Sequence, residues 1–317
     1  MTATVDDKAA TTAPVRAPAR WRDRRQVLFG FLLSSPPVVV IGLFIGFPVV
    51  AAILYTLGYA GGPNSVLTLF AQDQHLGFIT FGAYRAVFAD PSFGEDLLVT
   101  VVVTVLTVAF VLLLAWSVGL FLRLTNSRAA RALSALAVVP LFIPVVIASY
   151  AILGFYAADG FPRTIATMLG WDSFPTISYT MVAVTIGEVW TQLPFGVLLI
   201  ASGLQGVPNA LIEAARDAGA GTVRIIRSIL IPMNVLPSVI VGTFSAIYVL
   251  GSFTVPYLIG PNAPNLLGTS MTYQMQSFGR PQQAEVMAVV VFLVAAGIGA
   301  AYVWANVRNN RMSGVTQ

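Results

Sequence analysis

Few side chains in this sequence can carry covalent or acid–base chemistry. His75 is the only histidine and cysteine is absent, so the chain cannot assemble a zinc site or a thiol nucleophile by itself. Lysine occurs once, at Lys8, in a tail with no glycine beside it. A phosphate-binding loop of the G-x-x-x-x-G-K-[ST] kind needs its lysine on the phosphates, so any ATP hydrolysis must be done by another polypeptide. What remains is carboxylates, amides, hydroxyls and rings. Glu188 stands out as an acidic residue in the middle of a long apolar run. Thr191, Gln192 and Phe195 follow at spacings of three, four and seven and share its helix face. Ser245, Tyr248 and Ser252 form a second stripe farther along. Such a mixture suits passage of a cationic, hydrogen-bonding solute. It equally suits a carboxyl paired with a polar neighbour to hold helices together, and hydroxyls packed small-on-small between them.

These residues need helices in a membrane to position them. The chain is 57% hydrophobic and 9% charged, against roughly a quarter charged in soluble domains. The apolar residues come in long runs, and a span needs about 20 of them. The runs predict six transmembrane helices at about 27–57, 97–122, 131–156, 177–203, 234–259 and 284–305, an all-α polytopic fold spanning 26–307. Prolines fall inside several: Pro36, Pro37 and Pro48 in the first, Pro140 and Pro144 in the third, Pro194 in the fourth. They kink helices around a cavity or make ordinary packing bends. Residues 1–25 read as a disordered tail and 308–317 as a short C-terminal tail. The first run is too long for a signal peptide.

Arginine placement sets the orientation. With the N-terminus inside, the tails and the loops 123–131 and 204–233 hold Lys8 and thirteen arginines, while the outside loops hold only Arg85, Arg163 and Arg280. That asymmetry predicts a multi-pass membrane protein with both termini cytoplasmic. The net charge of +4 thus reflects span ends and not a nucleic-acid surface. The outside loops carry Asp73, Asp90, Glu95, Asp96, Asp159, Asp172 and Glu285, either as a docking surface for an extracytoplasmic partner or as plain solvation.

The loop 204–233 is the most informative stretch. Pro208 suits the first turn of a helix, residues 210–218 are good helix formers, and Gly219 is a natural stop. Thr222 then caps a second helix that Pro232 ends. The expected helix–turn–helix leaves a smooth alanine face, fit for a partner's groove or for lying on the bilayer surface.

Glu213, Ala214 and Ala215, then Gly219 after three residues, Ile229 after nine more, and Ile231–Pro232 after one, resemble the signature loop of the permease subunits of type I ABC importers, the binding-protein-dependent transport inner-membrane components. Ile231 replaces the usual leucine. Residues 79–100, with Tyr84, Arg85, Asp90, Pro91 and Phe93, resemble the family's approach to its second helix, with Val99 where an asparagine is frequent. Residues 251–271 resemble the spermidine/putrescine group in particular.

The resemblance implies a type I ABC importer transmembrane domain without chemistry of its own. Its coupling helix, centred on Glu213, Ala214, Ala215, Asp217 and Gly219 with Ile229 and Pro232 behind, would dock on an ATPase subunit that binds ATP and Mg. A second permease subunit and an extracytoplasmic solute-binding protein would complete the assembly in the lipid bilayer of the bacterial inner membrane. ATP binding would pull the coupling loops together and rock the bundle from inward- to outward-facing. The pathway candidates are Glu188, Gln192, Phe195, Tyr248 and Ser252, with a polyamine-like or other small polar solute expected. Permeases for sugar, iron, thiamine or phosphonate share much of the pattern. An ion-coupled secondary transporter is the rival from another class, with Glu188 as its one candidate coupling group.

Overall fold

The computed structural model describes residues 29, 30, 33, 35–125 and 127–312. The expected tail at 1–25 and residues 313–317 lie outside them. The chain divides into two compact units, Met1–Ala52 and Ile53–Gln317. No strand occurs among the described residues.

Helix α1, Ser35–Thr56, is 22 residues long, about 33 Å at ~1.5 Å per residue, enough for a ~30 Å hydrocarbon layer. It widens into a π turn at Gly42–Gly46, just before Pro48. A proline lacks the N–H for its helical bond and crowds the carbonyl four residues back; the wider turn accommodates both. The same device recurs at Ile226–Leu230, ahead of Pro232.

In the second unit, α2 (Gly82–Ala89) leads into α3 (Pro91–Thr125). Helix α4 (Arg128–Val138) starts at Ser127, whose hydroxyl accepts the Ala130 N–H at 3.1 Å. A short 3-10 turn, Val139–Phe142, and a break at Pro144 separate it from α5 (Val145–Phe155). Then come α6 (Phe161–Met168), α7 (Met181–Gln205), α8 (Asn209–Asp217), α9 (Thr222–Met233) and α10 (Val235–Leu250). Helices α11 (Thr254–Ile259), α12 (Leu267–Thr272) and α13 (Pro281–Met312) close the chain.

Four of these helices, α1, α3, α7 and α13, are each long and apolar enough to cross a membrane. Two bent pairs raise the number to six if each is one span. The expected third span, 131–156, is one such pair, bent by 111° between Phe142 and Val145. The expected fifth, 234–259, is α10 followed by a break at 251–253 and the separate α11, which folds back against α5 and α7. Helix α10 itself leaves α9 at 64°. The last helix runs on to Met312, into the stretch expected as a tail.

The core is the pairing of α3 with α7, with α10 packed on both. Val103, Thr107, Val111, Ala115 and Val118 form a buried stripe at near four-residue spacing on α3. Val111, Ala115 and Val118 cluster with Val197, Ile200 and Leu204 of α7, and Val103 with Ala183 and Val184 nearer the start of α7. Small residues set the approach: a Cβ on Gly196 would come within 2.8 Å of Val111 Cγ1, and one on Gly119 within 3.0 Å of Leu204 Cδ1. Without a hydrophobic drive between helices in lipid, such close backbone contact supplies the attraction.

Candidate functional site

The coupling segment is built from Pro208 onward. Pro208 occupies the cap position (φ −59°, ψ 133°), one residue before the helix and not within its first turn. Helix α8 ends as expected at Gly219, whose φ of +80° is left-handed. The Gly219 N–H bonds to the Arg216 carbonyl at 2.8 Å and the Ala220 N–H to the Ala215 carbonyl at 2.9 Å. This is a Schellman ending, which satisfies carbonyls the helix leaves open. Gly221, not Thr222, holds the cap of α9, and no side chain caps it. The helix runs one residue past Pro232, to Met233.

One face of this hairpin is buried in the chain. Ile212, Ile225 and Leu230 join the cluster of Val118, Ile200 and Leu204, with Ala215, Ala220 and Ile229 packed against it. At the entrance Arg123, near the end of α3, donates to the Val207 carbonyl at 2.7 Å. Glu213, Ala214, Asp217, Gly219 and Pro232 are exposed. The hairpin is thus a rigid, outward-facing ledge seated on α3 and α7.

The predicted transmembrane stripe divides in two. Glu188 has no exposed surface and accepts a hydrogen bond from the Ser252 hydroxyl through Oε1, while Oε2 has no partner among the described residues. Gln192 and Ser245 are buried with them. Phe195 is 36% and Tyr248 47% exposed. The Phe244 ring lies 6.1 Å from that of Phe195. The polar members thus lie behind, and the rings lie on an open face.

At the opposite end of α3, Asp90, Glu95 and Asp96 converge, three of the acids that arginine placement assigns to the outside. A cleft of about 880 Å³ is lined by Asp90, Glu95, Asp96, Asn262, Tyr273 and Arg280 among others. Asp73 pairs instead with Arg280 at 3.1 Å. Asp96 Oδ1 accepts the Asn265 N–H at 2.7 Å and Oδ2 the Ser270 hydroxyl at 2.5 Å. Thr100 Oγ1 accepts the Leu267 N–H at 2.9 Å. Buried Gln282 uses both ends of its amide: it donates to the Tyr55 carbonyl at 2.9 Å and accepts the His75 N–H, also at 2.9 Å. Sequence reasoning singled out neither Gln282 nor Phe244, and read Asp96 only as a surface acid. The signal for Gln282 was a pair of amides opening an apolar helix.

The described residues thus form an all-helical, apolar core with a helical ledge at one end, and residues 111–314 match the family model described as the binding-protein-dependent transport system inner membrane component. The chain belongs to that family. It is the non-catalytic inner-membrane subunit of an ABC importer, with ATP hydrolysis in a partner. It is 29% identical over 295 residues to the sulfoquinovosyl glycerol transport system permease protein SmoG of Agrobacterium fabrum, covering 89% of this chain and 92% of that protein. With the trehalose transport system permease protein SugA of Mycobacterium tuberculosis it shares 28% over 240 residues, 75% of this chain and 73% of that one. The fold is similar to a chain of a bacterial ABC transporter involved in import of the acidic polysaccharide alginate, with TM-score 0.71 and 17% identity over 94% of this chain and 99% of that one.

Proposed function

We propose that this permease carries a sugar or a glycerol-linked sugar. The names of its relatives, which concern sulfoquinovosyl glycerol and trehalose, carry that reading and favour the sugar alternative over the polyamine one. The geometry is in keeping with it. A diamine needs an accessible negative charge at mid-span, whereas Glu188 is shut in behind Ser252. The accessible groups are the rings of Phe195 and Tyr248, and an aromatic face carrying a phenol hydroxyl suits a solute that is apolar on its C–H face and polar at its rim.

In this reading Phe195 and Tyr248 line the pathway, with Glu188, Gln192 and Ser252 bracing it from behind. Glu213, Ala214, Ala215, Asp217 and Gly219 of the ledge meet the ATPase subunit, and Ile229 and Pro232 hold the second helix beneath them. The cleft around Asp96 faces the solute-binding protein, and a second permease subunit closes the pathway. The ledge and both termini are cytoplasmic.

The test is uptake by the importer reconstituted with its ATPase and binding protein, using labelled trehalose and labelled putrescine as probes. Sugar uptake is expected, falling about fivefold in Tyr248→Ala and in Phe195→Ala, the equivalent of ~1 kcal/mol of lost ring contact. Putrescine uptake without sugar uptake would overturn the assignment.

A further inference from the structure

We propose that the cavity between the ends of α3 and α7 and the starts of α4 and α8 is a binding site for a phosphate oxyanion. It measures about 590 Å³ and is lined by Leu122, Arg123, Arg131, Gln205 and Asn209. Two guanidiniums and two carboxamides face it, and no carboxylate does. A planar guanidinium presents paired donors that match phosphate oxygens two at a time. Arg123 spends one nitrogen on the Val207 carbonyl, at 2.7 Å, and its buried Nε has no partner among the described residues. The Arg131 side chain has no hydrogen bond or ion pair among the described residues and is exposed.

The location fits a phosphate as well as the donors do. Arg123 lies 27 residues after Asp96 on α3, roughly 40 Å along one helix, and so at the rim of the apolar span. Headgroup phosphates lie at that level, and basic pockets between helix ends are where they are held. An isolated interfacial arginine would touch headgroups in passing. Here donors from four elements surround one cavity, and the open N–H groups at the start of α8 add a weaker attraction of the same sign. Bound phosphate would tie α4 to the residue that opens the coupling helix, beside the Arg123–Val207 contact. The seating of the ledge would then depend on the surrounding lipid or on free phosphate. The site is independent of which solute is carried.

Binding is measured on the purified full-length chain by native mass spectrometry and thermal unfolding, with phosphatidylglycerol, phosphatidylcholine and inorganic phosphate as probes. Phosphatidylglycerol is expected to bind and to weaken about tenfold in Arg131→Gln, as for the loss of one charge-assisted hydrogen bond. Arg131→Lys should retain part of the affinity. Arg128→Gln, an exposed arginine on α4 outside the lining, should change nothing. Equal stabilisation by inorganic phosphate, lost in the same variant, identifies a free anion as the source; stabilisation by the lipid alone identifies a headgroup. Two results overturn the site: Arg131→Gln binding phosphatidylglycerol and phosphate as the unsubstituted chain does, or Arg128→Gln weakening binding as much as Arg131→Gln.

Discussion

The Ser252 hydroxyl donates to the Glu188 carboxylate across 64 residues of sequence, joining the first third of α7 to the break between α10 and α11. That break sends α11 against α5 and α7. A Cβ on neighbouring Gly187 would come within 2.6 Å of Val255 Cγ1 and 3.1 Å of Ile259 Cδ1, so α11 lies directly on this stretch of α7. An acidic group in the hydrocarbon region is tolerated when it faces the interior and is paired. Here the pairing also fixes where a span is interrupted.

Ser252→Ala removes that donor and leaves a fully buried carboxyl oxygen unpaired. The expected cost is about 1–3 kcal/mol, read as a lower unfolding temperature in detergent. Glu188→Gln keeps an oxygen that accepts the same hydrogen bond and is expected to fold and to transport at the unsubstituted level. Uptake abolished in Glu188→Gln, with its stability intact, would return the carboxylate to the pathway and show that its charge matters.

What could be read from sequence follows the range of the interaction. The Gly219 stop is local, since it needs one left-handed residue after a run of helix formers, and it is found where expected. Four of the six expected spans are equally legible as single helices, because about 20 apolar residues in a row have few other uses. The 111° bend was not legible. Pro144 permits a break, but Pro194 sits inside an unbroken α7, so the residue type alone does not decide. The Glu188–Ser252 pair and the Gln282 amide, which reaches Tyr55 across 227 residues, depend on tertiary contacts that helical spacing does not encode. Glu188, Thr191, Gln192 and Phe195 all lie on α7, yet spacing could not say which of them would be buried and which left open.

Gly219→Ala places a side chain at φ +80°, where the Cβ meets the backbone of its own residue. No neighbour lies within 4 Å of that position, so the cost is conformational, about 1 kcal/mol. Thermal unfolding should fall by the corresponding amount, and co-purification of the ATPase subunit should weaken as the end of α8 shifts. Gly219→Asn, better suited to left-handed backbone, should recover most of both. Equal losses for Asn and Ala would show that contact with the partner, and not backbone geometry, requires glycine.

Asp96→Ala deletes the acceptor for the Asn265 N–H and the Ser270 hydroxyl at once. Hydrogen bonds to a charged group are worth ~1.5–3 kcal/mol each, not strictly additive, so a loss of about 3 kcal/mol is expected. Asp96→Asn retains one acceptor oxygen and should cost less than half as much. Limited proteolysis gives a second readout, with new cleavage expected between 260 and 266, the loop that Asp96 and Thr100 hold to α3. An Asp96→Ala chain with unchanged unfolding and cleavage would show that the loop is held by other contacts.

The α3–α7 contact is set by Gly196 lying under Val111. An added Cβ would sit 2.8 Å from Val111 Cγ1 and 3.3 Å from the Ala115 Cβ, closer than carbon atoms pack. Both neighbours are fully buried, so the crowding cannot relax into lipid. Gly196→Ala is therefore expected to destabilise by about 1–3 kcal/mol through overpacking. Val111→Ala alone leaves a cavity and also destabilises. In the double variant the new methyl occupies the space the valine vacates, so the combined loss should be smaller than the two losses added, by a coupling of roughly 1 kcal/mol. Unfolding measured for all four members of the cycle decides it. Strict additivity would mean that the helices separate at this point, and that the close approach of α3 and α7 is held elsewhere along the pair.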